Sequence, residues 1–218
     1  MTEPLAVDIW SDIACPWCFL GKRRFERALA QFEAHFAGPV EVEYHSFELA
    51  PDTPVDFEGS EIDFLVEYKR MPEHQVEQML ARMTGLGEGE GLRYDFAALR
   101  HTKTLLAHQA IHYAKAKGRQ AELVERLFHA YFEQGRHVGH ADELASLAED
   151  VGLDGAELRR ALAEGTYEKA VAEDIALAGE LGINGVPFYV LNGRYAVSGA
   201  QSSDLFLMAL QKAVAEPE

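Results

Sequence analysis

Only two of the 218 residues are cysteine, Cys15 and Cys18, and two residues separate them. So few thiols exclude a disulfide framework for a chain of this length. A bridge closing so small a loop would remove little entropy from the unfolded chain. Two sulfurs also fall short of a structural zinc site, which takes four ligands. Basic residues are scarce as well: 20 Lys and Arg face 36 Asp and Glu, a net charge of −16. That balance repels nucleic acid and anionic lipid, so neither is expected as a partner. No apolar run reaches the roughly 18 residues of a membrane span. The opening "MTEPLAVDIW" has neither a basic nor an apolar leader region. A secretory signal is therefore not expected, and a cytoplasmic location is.

What remains for the two thiols is redox chemistry, and their flanks support it. "LAVDIWSD" (Leu5 to Asp12) is apolar and β-branched and reads as a buried strand. Beyond the cysteines, Phe25, Ala28, Leu29, Phe32 and Phe36 fall at helical spacing. Cys15 thus stands where a strand gives way to a helix. Pro16 suits the first helical turn, where its missing N–H costs nothing. Free N–H groups and the helix dipole there favour a thiolate at Cys15. Cys18, one turn on, is within disulfide reach and deeper in the fold. Cys15 is the expected exposed, attacking sulfur and Cys18 the resolving one. Trp17, between them, offers a flat surface to a substrate or packs against the rest of the chain.

Near the other end, "GVPFYVLNGRYAVSGAQSS" carries a second signature. Asn192-Gly193 marks a hairpin between Phe188–Leu191 and Tyr195–Ser198. Ser202 or Ser203 caps a last helix running to about Val214. By sequence alone Pro187 reads as an ordinary strand start.

Together, Cys15-Pro16-Trp17-Cys18 after the first strand and Gly185-Val186-Pro187 before a late hairpin resemble the thioredoxin superfamily. The long segment between them resembles its DsbA-like branch, and the two end motifs resemble FrnE-type proteins. Those are relatives of 2-hydroxychromene-2-carboxylate isomerase and kappa-class glutathione transferases. The resemblance implies an α/β thioredoxin fold, residues 1–58 and 180–218, interrupted by a helical domain, residues 59–179. It implies a cis Val186–Pro187 bond lying against the cysteines. It also gives Val186 and Pro187 a substrate-binding role; Pro16 and Trp17, beside the attacking sulfur, are expected to face the substrate as well. The isomerase and transferase relatives carry serine where this chain has Cys15, so the two thiols point to dithiol–disulfide exchange. A glutathione-dependent isomerase or transferase acting on an aromatic metabolite is the alternative. Expected partners are thiol- or disulfide-bearing proteins or small thiols. No cofactor is expected beyond the Cys15–Cys18 disulfide itself, with glutathione a candidate substrate.

The middle of the chain supports helices. Val40 to Leu49 alternates as a second strand, and Pro51 and Pro54 mark an irregular link. From about Glu61 the spacing turns helical. Leu123, Val124, Leu127, Phe128 and Tyr131 form one apolar stripe, and Leu144, Leu147, Ala148 and Val151 another. Asp154 and Glu157 read as a capping pair. The glycine-rich stretch Thr84 to Tyr94 has no Lys to hold phosphate and reads as a flexible loop. Nine histidines invite a metal reading. His137 and His140 have ligand-like spacing in a helix–helix loop, but no partner ligand is identifiable, so no metal is expected. His101, His108 and His112 are expected on one helix, without the Glu of a zinc-hydrolase motif. His45, near the end of the second strand, is expected to be structural.

Overall fold

The computed structural model describes residues 4–215. Within them the chain runs β1 (Leu5–Ser11), α1 (Pro16–Glu33) and β2 (Val40–Ser46). Then follow α2 (Glu61–Glu67), α3 (Glu73–Gly89), α4 (Leu105–Ala116), α5 (Gln120–Gln134), α6 (Ala141–Asp150), α7 (Gly155–Ala163) and α8 (Glu168–Glu180). It closes with β3 (Phe188–Leu191), β4 (Tyr195–Ser198) and α9 (Ser203–Val214).

The strands form one sheet in the order β2-β1-β3-β4. β1 runs parallel to β2 and antiparallel to β3, and β3 pairs antiparallel with β4. Alternation along β1 decides what covers each face. Leu5, Val7 and Ile9 are buried in the main core with Phe25 of α1 and Phe206 and Leu210 of α9. Trp10 points the other way, against Ala178 of α8 and Ile183. Between β2 and β3 the chain is helical apart from its links, so the thioredoxin-type α/β fold carries a helical insertion. Its buried Leu123, Leu127, Phe128, Leu144 and Leu147 are continuous with the main core.

Local chemistry explains most boundaries. Ser60 and Asp63 form a reciprocal capping box on α2. Asp154 accepts from the Glu157 N–H at 2.9 Å, and Ser202 caps α9. Two expectations are corrected. Thr84–Gly89 is not a flexible loop but the last turns of α3. Gly87 is there because a Cβ at that position would lie 2.4 Å from the Tyr94 ring, so only glycine lets the chain fold back. His101 lies outside α4, in the irregular segment before it, whereas His108 and His112 share one buried face of that helix.

Candidate active site

Cys15 is the N-cap of α1, in an extended conformation (φ −95°, ψ 110°), and Pro16 occupies the first turn. The Cys15 N–H donates to Asp12 O at 3.1 Å, and the Cys18 N–H to Cys15 O at 3.0 Å. Both cysteines are free thiols. Burial pushes the Cys18 thiol well up, and the neighbouring Cys15 sulfur adds to the effect.

One expectation about access fails. Cys15 is not an exposed sulfur: the residue is 4% exposed, against 2% for Cys18. The reason is coverage from the far end of the chain and from the insertion. Its Sγ–H donates to Val186 O at 3.6 Å, and the Val186–Pro187 peptide is cis. Tyr94, from the α3–α4 link, donates its hydroxyl to Pro16 O at 2.7 Å. Burial pushes the Tyr94 hydroxyl far up, with both sulfurs contributing, so it is a permanent donor. Gly21 permits the whole approach. A Cβ there would stand 2.8 Å from the Tyr189 hydroxyl and 3.0 Å from Pro187 Cγ, so any larger residue would push β3 off α1.

Cys15 reaches space through a cavity of about 160 Å³ rather than the outer surface. Pro16 and Trp17 line it from the site side, Leu49, Ala50 and Thr53 from the link after β2, and Phe64, Leu80 and Met83 from the insertion. Trp17 is half-buried: it lines the cavity and packs against the core. The polar groups at the cavity are few. His101 stacks on Phe64 with ring centroids 3.3 Å apart, and its Nδ1 meets Glu61 Oε2 at 2.7 Å. Its Nε2, and Thr53 Oγ1, are buried without a hydrogen-bond partner among the described residues. Asp12, beneath the junction, accepts from the Leu49 N–H (2.8 Å) and the Ala14 N–H (3.2 Å). Burial opposes its charge, but His108, 3.4 Å away, and these N–H groups outweigh it and hold the carboxyl below its usual range.

The structure thus brings Cys15, Pro16, Trp17, Cys18, Val186 and Pro187 into one place. Sequence reasoning missed Gly21, Tyr94 and Asp12. Of these only Gly21 left a signal, as a glycine inside an otherwise strong helix, where it costs about 1 kcal/mol against alanine. His45 lies away from the cavity lining, in a saturated cluster. Its Nδ1 meets Asp174 Oδ1 and its Nε2 meets Asp8 Oδ1, both at 2.9 Å, and its ring stacks on Trp10 at 4.5 Å. Asp174 Oδ2 also accepts from the Ser46 N–H (2.7 Å) and lies 3.0 Å from His112 Nε2.

A vicinal dithiol at a helix start, faced by a cis-proline strand and roofed by an inserted helical bundle, defines a thioredoxin-type protein of the DsbA kind. The match to a family model is direct: residues 6–211 fit the DSBA-like thioredoxin domain, and the chain belongs to that family. It is 31% identical to the protein YwbO of Bacillus subtilis (strain 168), over 94% of each chain. Among solved structures it is similar to a probable DsbA oxidoreductase from Streptomyces coelicolor. That match has a TM-score of 0.90 and 38% identity, covering 98% of this chain and 92% of the other. A 2-hydroxychromene-2-carboxylate isomerase shares the fold at a TM-score of 0.72 and 18% identity, over 95% of this chain and 93% of its own. Among the described residues no helix is long and apolar enough to cross a membrane.

Proposed function

We propose that the protein is a thiol–disulfide oxidoreductase, with Cys15 as the attacking sulfur and Cys18 as the resolving one. The observation that carries this reading is the paired free thiols at the start of α1, with the Val186 carbonyl 3.6 Å from Cys15 Sγ. Cys15 stands at the N-terminus of α1, while burial keeps the proton on the Cys18 thiol until it is needed. The Cys15 thiolate attacks a substrate disulfide, forms a mixed disulfide and releases the first substrate thiolate. Cys18 then gives up its proton and attacks Cys15 Sγ, expelling the second. The substrate gains two electrons and the protein leaves as the Cys15–Cys18 disulfide. With an oxidised protein the same steps run backwards. In a cytoplasm that keeps thiols reduced, the forward direction operates. In this reading Pro16, Trp17, Val186 and Pro187 form the substrate-facing surface, and the Val186 backbone pairs with an extended thiol substrate.

A second reading, a glutathione-dependent isomerase or transferase on an aromatic metabolite, draws on the apolar cavity beside Cys15. It has no use for Cys18, which is why exchange is preferred. Reduction of insulin disulfides tests the choice. The wild type catalyses it, Cys15→Ser falls to the uncatalysed rate, and Cys18→Ser accumulates a mixed disulfide on Cys15. Tight glutathione binding, with no insulin reduction and unchanged behaviour in Cys18→Ser, would favour the second reading.

A further inference from the structure

We propose that Asp56, His137 and His140 bind a divalent transition-metal ion of the zinc type, where the link after β2 meets the turn between α5 and α6. The three side chains come from segments about 80 residues apart in sequence. Asp56 belongs to the irregular link between β2 and α2, and the histidines to the turn joining α5 to α6. One ligand atom from each lies within 4.8 Å of the others. His140 Nε2 is 2.7 Å and His137 Nε2 3.4 Å from the same oxygen, Asp56 Oδ1. Around a tetrahedral zinc with bonds of about 2.0 Å, ligand atoms stand about 3.3 Å apart, so the spacing of the three atoms is near what the ion needs.

The backbone builds this convergence. Gly135 ends α5 in a left-handed conformation (φ +59°), where a Cβ would lie 2.5 Å from Ala98 O. A Cβ on Gly139 would lie 2.1 Å from Thr102 Oγ1, so glycine alone lets the histidine turn press against Thr102. The same Thr102 hydroxyl donates to Val55 O at 2.7 Å and fixes the residue next to Asp56. The backbone therefore preorganises the carboxylate opposite the imidazoles.

The donor set is chemically apt. Two imidazoles and one carboxylate suit zinc and leave one position for water. The rings are now stacked, 3.8 Å apart, so His140, whose side chain is 46% exposed, must turn to aim its lone pair. His137 is buried, and its Nδ1 accepts a long 3.3 Å contact from the Gly139 N–H. Metal at Nε2 shifts the ring proton to Nδ1 and gives that contact up. Among nearby cations, Arg136 is paired with Glu143 at 2.5 Å, and Arg100 is exposed to solvent, which screens its opposition. A bound ion would tie the link that contributes Leu49, Ala50 and Thr53 to the cavity wall onto the insertion. It would thereby stiffen one side of the thiol pocket.

The test removes the competing thiols first. The Cys15→Ser/Cys18→Ser protein is titrated with zinc chloride by calorimetry, and its melting temperature is followed. One equivalent should bind and raise the melting temperature. Adding Asp56→Ala and His140→Ala, both at exposed positions, should weaken binding by more than about tenfold and abolish the shift. The melting temperature of the metal-free variant serves as the folding control. Failure of the thiol-free protein to bind zinc, or equal binding by the Asp56→Ala/His140→Ala variant, would overturn the site. Neither outcome bears on the oxidoreductase reading.

Discussion

Two polar clusters flank the end of β1, and they differ in how completely they are satisfied. Around His45, both imidazole nitrogens meet carboxylates and both Asp174 oxygens are engaged by the histidines and the Ser46 N–H. At the Cys15 cavity, Thr53 Oγ1 and His101 Nε2 are buried with no partner among the described residues. Buried polar groups are ordinarily satisfied, so the first cluster behaves as structure, while the second keeps polar atoms free to meet a substrate. By residue type alone the His45 cluster looks the more catalytic of the two. Saturation, rather than composition, separates them.

The largest effect that would sharpen this contrast is on stability. Asp174→Ala leaves two histidines and a buried N–H without their acceptor, and removal of one partner from such a group costs about 3–5 kcal/mol. Chemical denaturation should show that loss, with insulin reduction unchanged per folded molecule. If exchange activity falls with stability intact, the cluster belongs to the site after all. Gly21→Ala should act at the other cluster. Overpacking against Tyr189 and Pro187 costs about 1–3 kcal/mol, and it should slow exchange because Pro187 is pushed from the thiols.

A smaller effect is the pH dependence of stability. Asp174 and Asp8 overcome the burial cost at His45 and raise it from an ordinary 6.5 to about 9. A raised folded value means that the folded state holds the proton more tightly. The stabilisation is therefore complete below pH 6.5 and is lost as pH rises through about 9. Asp174 itself is held below its usual range, against the burial that opposes its charge, by His112, His45 and the Ser46 N–H. Its contribution is present above pH 3.8 and is lost as pH falls through the lowered value. Denaturation midpoints measured from pH 6 to 10 should fall for the wild type and flatten for His45→Gln. The smallest expected change is a gain. Gly85, inside α3, has nothing within 4 Å of its missing Cβ among the described residues, so Gly85→Ala should add about 0.5–1 kcal/mol. The opposite signs of Gly21→Ala and Gly85→Ala would show which helical glycine serves the site.

Much of this was legible in the sequence where the cause is local. The Asn192-Gly193 hairpin, the Ser202 cap and the strand-to-helix position of Cys15 depend on neighbours a few residues away. The site pair Cys15–Val186 came from family resemblance, since 171 residues separate them. What could not be read depends on distant packing. Position 87 must be glycine because Tyr94 folds onto it, and Cys15 is buried because Val186 and the insertion cover it. Asp174 lies 129 residues from His45, and no periodicity announces that partnership.

The assignment of roles within the thiol pair is the centre of the account, and limited alkylation tests it most directly. The reduced protein is treated briefly with iodoacetamide at mildly acidic pH and the peptides are weighed by mass spectrometry. Cys15, which opens onto the cavity at the helix start, should be labelled well before Cys18, whose thiol burial holds in the protonated form. Labelling of Cys18 first, or of both at the same rate, would contradict it.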